Sequence, residues 1–94
     1  MRVRWTRRAL RALDEIAAYV AQDRPLVAGR LVGRLREAVE QLADQPASGR
    51  AGRVPGTREL VVPGTPFIVP YRARGDTVEV LTLLHGARRW PDEL

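Results

Sequence analysis

The apolar positions of this chain fall into two halves with different periods. In the first, Leu10, Leu13, Ile16, Ala17 and Val20 recur at three- and four-residue intervals, the spacing that lines one face of a helix. Thr6 stands just ahead of them, where a hydroxyl can accept from an early helical amide. Ala28, Leu31, Leu35, Ala38, Val39 and Leu42 form a second stripe. Between the stripes, Asp23-Arg24-Pro25 stops one helix and starts the next, because proline at the first helical position gives up an amide that would be unpaired anyway. So short a connection predicts an antiparallel helical hairpin. Ahead of it, Arg2–Trp5 alternates Val3 and Trp5 with arginines and reads as a first strand.

From Thr57 onward the pattern changes to short apolar runs, Glu59–Val62, Phe67–Tyr71 and Thr77–His85, divided by Pro63-Gly64-Thr65 and Arg74-Gly75-Asp76. Glycine supplies positive φ cheaply and proline presets the bend, so both dividers read as turns. Neither is long enough for a helical crossover, which predicts an antiparallel meander joined by Arg2–Trp5. Pro70 cannot donate to a sheet ladder, so its part of the strand belongs at an edge or a bulge. Asp44-Gln45-Pro46 ends the second helix, and Ala47–Gly56, with three glycines and a proline, reads as a flexible linker. The expected class is α+β in the order βααβββ, an antiparallel sheet packed against an N-terminal helical hairpin, with residues 1–94 as a single domain.

Size and composition narrow the function. Ninety-four residues support one small core but no cleft between two lobes, so any site is an open surface groove. The chain has no cysteine and one histidine, His85, which argues against a zinc site. The Ala47–Gly56 glycines do not form a phosphate loop, and no cofactor is expected. No apolar run approaches the roughly 20 residues needed to span a bilayer, and MRVRWTRRAL lacks a signal-peptide core; the expectation is a soluble cytoplasmic protein without a membrane partner. Sixteen basic residues, all arginine, against eleven acidic ones give a net charge of +5, which favours an anionic partner, nucleic acid or acidic polypeptide. Arg7, Arg8 and Arg11 crowd the first turns of the first helix, where the dipole disfavours cations. Arg36 and Glu40 are spaced to pair along the second.

Around the expected sheet, Arg58, Tyr71, Arg72, His85, Arg88 and Arg89 offer acid–base and phosphate-binding groups, with Trp90 as a stacking surface. Metal-free RNA cleavage needs a base for the 2′-hydroxyl, a cation for the phosphorane and an acid for the leaving oxygen. His85, Tyr71 and either Arg58 or Arg88 are the residue types for that work. The same residues have plainer uses. A histidine at a strand end commonly holds a structural hydrogen bond, a tyrosine commonly fills a core, and clustered arginines commonly make electrostatic contacts.

The order strand, helical hairpin, three-stranded meander carries Trp5-Thr6 at the hairpin's start and Gly56-Thr57-Arg58-Glu59-Leu60 at the meander's start. Tyr71-Arg72 closes the middle strand, and Leu84-His85-Gly86 lies near the end. This layout resembles the RelE/ParE toxin superfamily across nearly the whole chain. The resemblance implies a growth-arresting toxin of a type II toxin–antitoxin module, held in a hetero-oligomer by a cognate antitoxin. RelE-like members cut mRNA on the ribosome, whereas ParE-like members inhibit DNA gyrase by binding. RelE-type nucleases carry an arginine three positions before the closing tyrosine, where this chain has Ile68. The glutamate base of related ribonucleases has no counterpart in Gly52–Gly56, and the Leu83-Leu84-His85 ending is similar to that of ParE-like proteins. Gyrase binding is therefore the expected activity, with target contact through His85, Arg88, Arg89, Trp90 and Arg72. The alternative is a ribosome-dependent endoribonuclease using His85, Arg58, Tyr71 and Arg88. A further alternative is a non-toxic nucleic-acid-binding or co-repressor partner of an antitoxin.

Overall fold

The fold, described for all 94 residues by a computed structural model, begins with β1 (Arg2–Trp5), followed by helices α1 (Arg7–Ala21) and α2 (Pro25–Glu40). A short 3-10 turn, Gln41–Ala43, leads into β2 (Arg50–Ala51), β3 (Arg58–Val61), β4 (Phe67–Arg74), β5 (Thr77–Val80) and β6 (Leu84–His85). The six strands form one sheet in the order β1-β5-β4-β3-β2, with β6 pairing β4 beyond the end of β5.

Thr6 joins the two layers. Its Oγ1 accepts from the Ala9 amide at 3.1 Å, capping α1, and donates toward the sheet carbonyls of Val80 at 2.8 Å and Leu81 at 3.1 Å. Pro25 opens α2 at its first position, as the sequence predicts. Ala9, Leu13, Leu35, Val39, Val62, Val69, Val80 and Leu83 make the main core, and Leu42, Tyr71 and Val78 a second cluster beside it. Full burial of each leucine or valine contributes about 1.5–3 kcal/mol. The stripe on α1 is shifted from the expected one: Ala9 is buried while Leu10 is 41% exposed. Arg36 does not reach Glu40; its guanidinium carbon lies 5.8 Å from the centroid of the Trp5 ring.

The expected all-antiparallel sheet is corrected at its edge, since β1 runs parallel to β5, Arg2 opposite Thr77 and Trp5 opposite Val80. The cause lies in where α2 returns the chain. The Met1 ammonium donates to the Ala43 carbonyl at 3.0 Å, so the chain leaves the hairpin at the end of the sheet where β1 began. β3 then runs with β1, β4 reverses against β3, and β5 reverses against β4. β5 thereby recovers the direction of β1.

Pro70 occupies the interior strand β4, at a bulge. Tyr71 pairs Val80 whereas Ile68 pairs Leu84, so Val69 and Pro70 face three residues, Leu81, Thr82 and Leu83. The Pro70 carbonyl accepts from the Leu81 amide at 2.9 Å. Because the N and O of one strand residue point the same way, the missing donor also faces the bulge, where the ladder is already interrupted.

The stretch read as a flexible linker is instead fastened to the sheet. Arg50 pairs Glu59 and Ala51 pairs Arg58 across β2 and β3. The Tyr71 hydroxyl donates to the Pro46 carbonyl at 2.8 Å and accepts from the Gly49 amide at 2.8 Å. Only glycine fits at position 49, because a Cβ there would stand 2.7 Å from the tyrosine ring. At the β4–β5 turn, Gly75 takes φ +61°, the left-handed conformation that the turn requires.

Candidate functional site

Two regions of the sheet carry the residues that the sequence singles out. At one, Arg58 and Tyr71 face each other across β3 and β4. Arg58 donates from Nη1 to the Gly49 carbonyl at 2.9 Å and toward that of Ala47 at 3.3 Å. Tyr71 is fully buried, and its hydroxyl holds the same loop from the other side. Both side chains are thus engaged by backbone.

At the other region, β6 places His85 opposite Phe67, with the rings edge to face and their centroids 5.7 Å apart. The His85 Nδ1 accepts from the Ala87 amide at 3.1 Å. This bond fixes the tautomer with the proton on Nε2, leaving that nitrogen free of any partner within the protein. Phe67 and Tyr71 are four positions apart on β4, about 13 Å at the usual strand rise. His85 is therefore separated from Arg58 and Tyr71 by that length of strand, and the four residues of the nuclease alternative do not converge.

His85, Arg88 and Arg89 do come together. They line an open groove of about 730 Å³ between the hairpin and the β4–β6 end of the sheet. Its apolar walls include Ile16, Tyr19 and Val20 of α1, Val27 and Leu31 of α2, and Phe67 and Leu83. Glu15 is the acidic residue among them. Tyr19 is 68% exposed and Val27 40% exposed, so much of this apolar surface faces solvent. Sequence reasoning missed the helical wall. Its signal was there in Tyr19 and Val27, apolar residues around the hairpin's tip that belong to neither predicted stripe.

The other two candidates lie on the sheet face opposite the helices. Arg72 donates from Nε to Glu79 Oε1 at 3.0 Å, and Arg4 donates to the other carboxylate oxygen. Arg74 Nε stands 3.6 Å from Glu79 Oε1. The hydrogen bonds from Arg4 and then Arg72 pull the Glu79 pKa below the ordinary glutamate value against the opposing effect of burial, and the charges of Arg72 and Arg74 add to the pull. Arg72 is thus largely committed to the sheet. Trp90 lies under Arg53, whose guanidinium carbon is 3.6 Å from the ring centroid.

This helical hairpin on a mixed sheet, with a cationic C-terminal segment beside an apolar groove, defines a small toxin of the RelE/ParE superfamily. Residues 3–90 match the family described as ParE toxin of the type II toxin–antitoxin system parDE, and the chain belongs to that family. It is 54% identical over 93 residues to a putative toxin of Sinorhizobium fredii, Y4kP, covering 99% of this chain and 96% of the relative. Toxin RelE2 of Caulobacter vibrioides is 36% identical over 84 residues, covering 89% and 93% of the two chains. Among solved structures, a chain described as "Chromosomal ParDE TA system from P. aeruginosa" superposes with a TM-score of 0.82 at 31% identity, covering 88% of this chain and 92% of that one. The protein is accordingly the toxin of a type II toxin–antitoxin system, and its family implies an antitoxin partner.

Proposed function

We propose that this toxin arrests growth by binding DNA gyrase, with His85, Arg88, Arg89 and Trp90 forming the contact and the exposed part of Arg72 contributing from the sheet face opposite the helices. The observation that carries the proposal is at Ile68. Where the nuclease branch needs a cation for the phosphorane, this strand presents a buried hydrocarbon, 8% exposed, which offers no charge to a transition state. The Tyr71 hydroxyl, the corresponding acid, is occupied by Gly49 and Pro46. Binding needs neither group.

The antitoxin is proposed to lay an acidic amphipathic segment into the groove, its apolar side against Ile16, Val20, Val27 and Leu31 and its acids toward Arg88 and Arg89. Such a segment would fold as it binds and keep the pair as a hetero-oligomer. Neither helix of the toxin is long and apolar enough to cross a membrane, and none of these contacts calls for a bilayer.

The test is inducible expression with and without the neighbouring antitoxin gene, together with a supercoiling assay on purified gyrase. Expected are arrest rescued by the neighbour, inhibited supercoiling, intact mRNA, and loss of inhibition when Arg88→Glu and Arg89→Glu are combined. Codon-specific cleavage of ribosome-bound mRNA that disappears in His85→Ala would overturn the proposal. The runner-up, a ribosome-dependent endoribonuclease, draws its support from His85, Arg88 and Arg89 sharing one groove.

A further inference from the structure

Glu59 is one of two carboxylates buried in the sheet face that the helices leave open, with its side chain 2% exposed. A buried carboxylate is costly unless its oxygens are paired, and here both are. Oε1 accepts from Arg50 Nε at 3.1 Å and Nη2 at 3.0 Å. Oε2 accepts from the Arg53 backbone amide at 2.9 Å, while Arg53 Nε stands at 3.7 Å. Arg53 is thereby held at both backbone and side chain, and its guanidinium carbon sits over the indole, 3.6 Å from the Trp90 centroid. Trp90 Nε1 is buried without a hydrogen-bond partner. The indole is therefore seated through its ring face and not by its polar edge.

The same segment is tied at its other end. His85 pairs Phe67 in the sheet, and the Gly86 amide donates to the Pro66 carbonyl at 2.8 Å. Arg88 and Arg89 lie between these two anchors, with the Arg88 amide donating to the His85 carbonyl at 3.1 Å. A loop fixed at both ends presents its side chains with less ordering cost on binding than a loop fixed at one.

We propose that Glu59 is a positioning residue for the target-contact segment: by holding Arg53 over Trp90 it fixes the C-terminal anchor and so presents Arg88 and Arg89 at the groove. The positioning role rests on the proposed use of His85–Trp90 in target binding; the clamp itself does not.

Two measurements separate these parts. With Trp5→Phe as background, Trp90 is the only indole, and its emission and quenching by acrylamide report whether it is seated. Arg53→Ala removes the stacked cation but leaves Glu59 paired with Arg50 and the residue-53 amide, so it tests the clamp even where Glu59→Gln fails to fold. Cation–π stacking predicts that the unseated fraction rises by between about twofold and thirtyfold in Arg53→Ala. Emission should shift to the red, and amide exchange at residues 87–90 should quicken. Arg53→Lys keeps the charge without the planar face and should restore the seating only in part.

Inhibition of gyrase supercoiling should weaken in the same order across the variants, and affinity for the antitoxin's groove-binding segment should fall with it to the extent that it rests on Arg88 and Arg89. Unchanged Trp90 quenching in Arg53→Ala would overturn the clamp. Increased quenching with undiminished gyrase inhibition would overturn the positioning role. Absence of inhibition by the wild-type toxin would instead overturn the gyrase reading, and the fluorescence result would still decide the clamp.

Discussion

Replacing Tyr71 with phenylalanine separates the structural use of this residue from a chemical one. The ring stays in the core and only the hydroxyl is lost, together with its bonds to the Gly49 amide and the Pro46 carbonyl, each 2.8 Å long. Two neutral hydrogen bonds contribute about 1 kcal/mol each, and an amide left unpaired in the interior adds a penalty of similar size. The packing at Gly49, where a Cβ would already come within 2.7 Å of the ring, leaves little room for water to replace the hydroxyl. The expected destabilisation is about 2–3 kcal/mol, which for a chain of this size lowers the melting temperature by about 10–20 °C. Thermal unfolding of the purified toxin followed by circular dichroism measures it. Growth arrest scored well below the variant's melting temperature should persist, because the hydroxyl is occupied by backbone and has no part in the proposed contact with gyrase. A melting shift of less than about 3 °C would refute the clasp. A fully stable variant that no longer arrests growth would place the hydroxyl in chemistry and favour the nuclease.

Two further perturbations test how the strands are held to one another and how the helices are joined to them. Glu79 has its pKa lowered by Arg4 and Arg72, so its ionised form is favoured by folding. Its contribution is complete above the unfolded glutamate value of about 4.3 and is lost as pH falls through the lower folded value. Melting temperatures measured from pH 6 down to pH 3 should therefore show an acid-side decline that is shallower in Glu79→Gln, and identical slopes would refute the pairing. Thr6→Ala removes both the cap of α1 and the hydroxyl's link to Val80 and Leu81; a loss of about 1–2 kcal/mol in urea unfolding is expected, with an unchanged midpoint as the contrary result.

The helices were legible because their apolar periods are local, and the caps at Thr6 and Pro25 sit beside them in sequence. Leu10 misled because a bulky side chain attracts assignment to the stripe, whereas the close approach to the sheet at α1 is made by Ala9. The missed strand β2 has little local signal: Arg50 and Ala51 are both exposed, and what orders them comes from Arg58, Glu59 and Tyr71 on later strands. The parallel pairing of β1 was invisible for the same reason, since it depends on where α2 delivers the chain. Pro70 was informative because a missing donor constrains any sheet that contains it. At the site, His85, Arg88 and Arg89 are near neighbours in sequence and stay together. Arg58 and Tyr71 seemed to belong with them by residue type, but their register on β3 and β4 sets them four positions away from Phe67 and His85.

Net charge alone would have assigned too many arginines to the partner. Glu59 engages Arg50 and Arg53, and Glu79 engages Arg4, Arg72 and Arg74, so much of the sheet's positive charge is used within the fold. The cations left at the groove are Arg88 and Arg89. Whatever the origin of the arginine-only composition, several of these positions exploit the planar cation specifically. Arg50 meets one carboxylate oxygen with two nitrogens, and Arg53 faces a carboxylate while stacking on an indole. A lysine ammonium is a compact point charge with neither the fork nor the face. The sheet's buried acids thus do more than balance charge: they orient guanidinium groups, and at Arg53 that orientation reaches the segment on which target contact is proposed to depend.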